Sequence, residues 1–164
     1  MRVLAIDPGF GRCGVAVLEG VGGTATLLYS NCIETQPNSD FSLRLLKVGK
    51  TVLSLIDTYL PDTIAIEELY FNSNQKTVFH VAEVRGMLMY LAVSHGVALV
   101  EYNPLTIKTA LTGYGRATKE QVTKMVVTIL KLETKARKDD EYDAIALGIT
   151  AIAHSRRAAS GRAM

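Results

Sequence analysis

Tryptophan is absent from the 164 residues, cysteine occurs twice and histidine three times. Cys13 and Cys32 form no CxxC pair, and no histidine stands at metal-ligand spacing from either. That excludes a zinc module and a disulfide scaffold, and points to buried, reduced thiols in a cytoplasmic protein. Long apolar runs are missing too: none approaches the roughly 20 residues that cross a bilayer. The opening MRVLAIDPG meets Asp and Pro too early for a secretory signal. Charge of one sign is also scarce. The formal net charge is +2, too small to name a partner. No internal repeat, low-complexity tract or linker interrupts the chain.

What is present is the composition of an ordinary globular protein, 48% hydrophobic and 21% charged. The length suits one domain with its own core, expected over 1–157 and followed by a disordered tail at 158–164. RVLAID (2–7) is a short apolar run ending in Asp-Pro-Gly, which reads as a buried strand and a turn. CGVAVLE (13–19) and ATLLYSNCIE (25–34) read as a hairpin across a glycine-rich turn. A helix is expected at 42–60, where leucines and valines fall at helical spacing before Pro61. TIAIEE (63–68) and VALVEYN (97–103) are further strands, with a helix at 74–96 between them. Shorter helices are expected at 104–112 and 119–131, and a last one from the acidic cluster at 139 to about Arg157. The order βββαβαβααα implies an α/β protein with a five-stranded mixed sheet and helices on both faces.

The helix at 74–96 is apolar almost all round, with Val78, Phe79, Val81, Val84, Leu88, Met89, Leu91 and Val93 covering more than one stripe. Such a helix is buried on more than one side, and in a small domain the second surface fits a two-fold homodimer. Basic residues are concentrated between Tyr102 and Lys138. Lys108, Arg116, Lys119, Lys124, Lys131, Lys135, Arg137 and Lys138 face only Glu120 and Glu133 there. The pattern is a solvated helical face or the footprint of a nucleic-acid binder.

KDDEYDAIALG (138–148) crowds Asp139, Asp140, Glu141 and Asp143 into five positions. Acids suit the first turn of a helix, and Asp139 is the expected cap. Asp7, however, ends the first strand, and Glu67 and Glu68 end the fourth. Acids spaced Asp-x-x-Asp share a helical face, with Cβ atoms about 5–6 Å apart, and an Asp139–Asp143 pair satisfies helical spacing nearly as well. Carboxylates gathered at one place without matching cations repel one another, and a hard divalent cation resolves that repulsion. Spacing leaves open which glutamate and which of Asp139 and Asp140 take part.

Four segments, AIDPGFGRCGVAV, IAIEELY, TIKTALTGYGRATKEQV and DEYDAIALGITA, then carry a resemblance. In order and spacing they resemble the RuvC family of Holliday-junction resolvases, of the RNase H-like superfamily, over nearly the whole chain. The resemblance implies an endonuclease that cuts two opposing strands of a four-way DNA junction, leaving 5′-phosphate and 3′-hydroxyl ends. It implies Asp7, Glu67, Asp140 and Asp143 as catalytic residues holding two divalent ions, Mg²⁺ or Mn²⁺. Lys108 and Lys119 match the family lysines near the substrate, and Arg116 lies in the turn between them. Tyr70 stands where the best-known members have Phe; with Phe71 it is the expected base-stacking element. A homodimer through 74–96 and the branch-migration proteins RuvA and RuvB are the implied partners. Three alternatives stand beside this one. GRCGVAV is similar to the opening of YqgF-type nucleases, the Asp-x-Gly start is shared with actin-like ATPases, and a junction-binding module without catalysis would need none of the acids.

Overall fold

The computed structural model describes residues 1–21, 24–68, 75–133 and 137–160, the side chains of 75–77 and 156–160 excepted. Five strands, β1 (Arg2–Asp7), β2 (Arg12–Val21), β3 (Thr24–Glu34), β4 (Thr63–Glu67) and β5 (Ala98–Tyr102), form one sheet in the order β3-β2-β1-β4-β5. β1 pairs antiparallel with β2 and parallel with β4, so the sheet is mixed. The central place of β1 follows from its composition. Val3, Leu4, Ala5 and Ile6 are apolar on both faces and wholly buried, as a strand covered on both sides requires. β3, at the edge, alternates exposed and half-buried positions instead.

Helices α1 (Phe41–Tyr59) and α2 (Gln75–Ser94) lie on one face, and α3 (Pro104–Thr112), α4 (Lys119–Leu130) and α5 (Asp139–Ser160) on the other. Each face has its own core. Leu4, Ile6, Val15 and Ile66 meet Val48, Val52, Val84 and Leu88 on the first; Val3, Ala5, Ala16 and Leu18 meet Val126, Ile145 and Leu147 on the second. The fold is α/β with helices on both faces, as the element order implies.

Local chemistry sets the helix boundaries. α1 stops at Leu60, whose φ of 47° is left-handed, immediately before Pro61. α3 opens on Pro104 with Asn103 accepting from Thr106 N–H. α4 opens on a reciprocal capping box between Thr118 and Gln121. α5 departs from expectation at both ends. Asp139 is its first helical residue and not its cap: the N–H groups of Glu141 and Tyr142 donate to the Lys138 carbonyl. The helix continues to Ser160, and 161–164 lie outside the described residues. Among the described residues, no helix is long and apolar enough to cross a membrane.

Candidate active site

Strand period two decides where the acids point. On β1, Val3 and Ala5 face α5, whereas Leu4 and Ile6 face α1 and α2; Asp7 therefore falls on the α5 face. On β4, Ala65 faces α5 and Ile64 and Ile66 do not, so Glu67 falls on the same side. The parallel register runs Ile6↔Ile66, which sets Asp7 and Glu67 next to each other as the two strands end. Glu68 has the opposite parity and donates its N–H to the Tyr102 carbonyl (2.9 Å).

The second pair of acids arrives on α5, and a glycine lets it come close. Gly14 is the β2 partner of Asp7. A Cβ built on it would lie 1.8 Å from the Asp140 carbonyl oxygen, an overlap that no side chain tolerates. Further along, a Cβ on Gly148 would meet Leu18 Cδ1 at 2.3 Å. These two close approaches seat the first turns of α5 on β2 beside the end of β1. Asp143, on that turn, faces Glu67 across a cavity of about 230 Å³, lined also by Lys108, Lys119, Pro104, Ile107, Val122 and Ala146.

Negative charge outweighs positive here. The Asp7 carboxyl is pushed up to about 8, first by burial and then by the charges of Glu67, Asp143 and Asp140. Glu67 rises to about 7 through burial and the charge of Asp143, with Lys119 and Lys108 opposing. Asp143 is also raised by burial, against the pull of Lys119. Lys119 Nζ lies 2.9 Å from Asp143 Oδ2 and 3.7 Å from Asp139. Burial works against the lysine's charge, but its bond to Asp143 and the surrounding acids outweigh it and raise the Lys119 pKa. Arg12 Nε lies 3.2 Å from Asp140 Oδ2. Lys119 and Arg12 thus pair with Asp143 and Asp140, neither is a direct partner of Asp7 or Glu67, and Lys108 acts on Glu67 only at longer range.

This donor set fits a divalent cation in chemistry and in unbalanced charge. Carboxylate oxygens are the ligands that Mg²⁺ and Mn²⁺ prefer, and Asp7 and Glu67 are raised first by burial and then by neighbouring acids, both of which a bound cation would offset. Spacing is a separate matter. Among the described residues no three acids, histidines or cysteines stand close enough to hold one ion as their side chains lie. Lys119 and Arg12 occupy Asp143 and Asp140 as ion pairs instead.

The other expected residues divide into those the fold brings to the site and those it does not. Lys108 and Lys119 border the cavity, and Arg116 lies exposed in the turn before α4. Tyr70, Phe71 and Lys135 lie outside the described residues. Arg137 and Lys138, the last of the basic stretch, are otherwise engaged: Arg137 is 3.3 Å from Glu141 with both side chains nearly buried, and Lys138 pairs with Glu34. Glu141 also accepts from Ser30 Oγ at 2.6 Å and faces away from the other acids. Cys13 is buried as expected, but Cys32 is half-buried, with Sγ 4.0 Å from Asp140 Oδ2. Its strand lies at the sheet edge. His80 is structural, stacked on Phe41 at 4.1 Å between centroids and 5.1 Å from Phe10. Arg12 was not foreseen, because a lone arginine opening a strand carries no spacing signal.

A five-stranded mixed sheet in this order, with acids at the end of its central strands and on a closing helix, defines an RNase H-like α/β protein. The chain matches the family model for crossover junction endodeoxyribonuclease RuvC over residues 3–154. It is 42% identical over 149 residues to that enzyme from Caldanaerobacter subterraneus, covering 91% of this chain and 90% of the relative. With the one from Moorella thermoacetica it shares 40% over 149 residues, covering 91% and 89%. The structure of Thermus thermophilus RuvC in complex with a Holliday junction substrate superposes with a TM-score of 0.91 at 31% identity, over 96% of each chain. The Fowlpox virus resolvase, at 15% identity and a TM-score of 0.63, shares the fold. The chain belongs to the RuvC family of crossover junction endodeoxyribonucleases. The RuvC reading of the sequence is therefore borne out over the YqgF and actin-like alternatives.

Proposed function

We propose that this chain resolves four-way DNA junctions by hydrolysing one phosphodiester in each of two opposing strands. The observation that carries the reading is the convergence of Asp7, Glu67, Asp140 and Asp143 on one end of the sheet, with Lys108 and Lys119 at the rim. Asp7, Glu67, Asp140 and Asp143 are the residues that would hold two Mg²⁺ or Mn²⁺ ions, whose chemistry is to activate water for in-line attack and to stabilise the leaving 3′ oxygen. Glu67 and Asp143 border the cavity from the acid side, while Lys108 and Lys119 offer ammonium groups to the phosphate. Lys119 then exchanges its bond to Asp143 for a phosphate oxygen, freeing that carboxylate. The apolar wall of Pro104, Ile107, Val122 and Ala146 limits water around the cut. Tyr70 and Phe71 supply base stacking at the crossover, and Arg116 an exposed backbone contact.

A four-way junction is approximately two-fold symmetric, so paired nicks call for two related sites. α2 supports a homodimer: Val84, Leu88 and Ala92 are buried against the chain's own core, while Phe79, Met89, Tyr90 and Val93 remain exposed on the outer side. The family further proposes RuvA and RuvB as partners and the cytoplasm as compartment. The test is cleavage of a synthetic four-way junction with Mg²⁺ or Mn²⁺, with the product ends mapped. Symmetrical nicks bearing 5′-phosphate are expected. Asp7→Asn is expected to abolish cutting and to keep junction binding; brisk cleavage by that variant would sink the site assignment.

A further inference from the structure

Arg85 stands on α2, yet its guanidinium reaches the end of β4. The side chain is 11% exposed, and one nitrogen lies 3.1 Å from Glu101 Oε1 on β5. Another donates to the backbone carbonyl of Glu67. The peptide that follows is held at its other end, where Glu68 N–H donates to the Tyr102 carbonyl at 2.9 Å. The pairing of β1 with β4 ends at Ile6↔Ile66, one residue before Glu67. Arg85 thus binds the Glu67 carbonyl from the α2 side, while the next N–H is held from β5.

The position is costly for an arginine. Its helix neighbours Val84 and Leu88 are fully buried, and a guanidinium brought out of water destabilises unless its donors are matched. Here they are matched in two directions by a rigid planar fork, one branch on the carbonyl and one on the carboxylate. A lysine presents one point charge and cannot span both acceptors in that geometry. The strand end that bears Glu67 is thereby tied to β5 and to α2 at once.

We propose that Arg85 is a positioning residue for Glu67, fixing the terminal β4 peptide so that the carboxylate is held toward Asp7 and Asp143. It touches no reacting atom and acts through the backbone of the acid it holds. It also joins the helix bearing exposed Phe79, Tyr90 and Val93 to the acid cluster through a single side chain. The proposal rests on the nuclease reading above.

The test compares wild type, Arg85→Gln, Arg85→Lys and Glu101→Gln by Mn²⁺-induced thermal shift without DNA, by single-turnover nicking of a four-way junction, and by junction binding in EDTA. In Arg85→Gln the Mn²⁺ concentration for half-maximal thermal shift is expected to rise about 10–100-fold, the usual effect of losing a group that orients a metal ligand. Nicking at saturating junction falls in parallel and recovers in part at high Mn²⁺, while binding in EDTA stays at the wild-type level. Arg85→Lys, and Glu101→Gln with its carbonyl bond intact, fall between. A lower melting temperature with the wild-type Mn²⁺ midpoint and nicking rate would overturn the proposal, since it would leave Arg85 a packing role only. If Arg85→Gln does not fold, Arg85→Lys decides: an unchanged Mn²⁺ midpoint overturns the proposal. A wild type that neither responds to Mn²⁺ nor nicks overturns the nuclease reading and this inference together. A wild type that nicks, matched by Arg85→Gln, overturns the inference alone.

Discussion

Asp7 is held in a place that suits its protonated form. Its carboxyl is raised to about 8 by burial and by Glu67, Asp143 and Asp140, whereas in the unfolded chain it titrates near the ordinary aspartate value. A raised acid stabilises the fold below its unfolded pKa, and that contribution is lost as pH rises through the folded one. The cation-free protein is therefore expected to lose thermal stability between about pH 4 and pH 8, with Glu67, raised to about 7, adding to the loss. Asp7→Asn removes most of this dependence. Its melting temperature should exceed that of wild type at pH 8 by a few degrees, and the gap should close toward pH 4, as differential scanning calorimetry in EDTA would show. Adding Mn²⁺ at pH 8 should raise the wild type and leave the variant nearly unmoved. A gap that does not change with pH would contradict the account of the charge cluster.

At the scale of elements, the site depends on how closely α5 approaches the sheet. Gly14 lies against the Asp140 carbonyl, so Gly14→Ala forces the start of α5 outward. Overpacking of this kind costs about 1–3 kcal/mol, measurable by urea unfolding. Cleavage should fall more than stability, because Asp140 and Asp143 move with the helix. α4 offers a contrast. Its capping box holds Thr118 and Gln121, so Thr118→Ala should cost about 1 kcal/mol and loosen Lys119, the first residue of the helix. Elements like these were legible in the sequence for local reasons: Pro61 after a helix end, leucines and valines at helical spacing before it, a glycine-rich turn between two strands. The cap of α5 was misread because Asp139 has the side chain of a cap, while its backbone already belongs to the first turn. Lys138 contributes only a carbonyl, which leaves no mark in side-chain chemistry.

At the scale of the molecule, the proposed homodimer places a second copy on the exposed side of α2. Phe79 is 70% exposed, Tyr90 70% and Val93 72%, and an apolar helical face of this kind marks an association surface. Tyr90→Glu should shift the protein from dimer to monomer in light scattering at micromolar concentration. Paired nicking should give way to single nicks or none. A wild type that is itself monomeric there would remove the case for paired sites.

The sequence by itself determined the element order, the buried central strand and the presence of acids at strand ends, because periodicity and turn chemistry are local properties. It also supplied the family, through four ordered segments. The resemblance already singled out Glu67 over Glu68, but only the tertiary structure shows that Glu67 turns toward α5, because the facing helix must be known before strand parity has meaning. The same holds for Arg12 beside Asp140 and for Arg85 beneath Glu67. Each is an unremarkable arginine along the chain and gains its partner from a residue far away in sequence. Long-range pairing of charges is set by how helices land on the sheet, and no spacing along the chain encodes that.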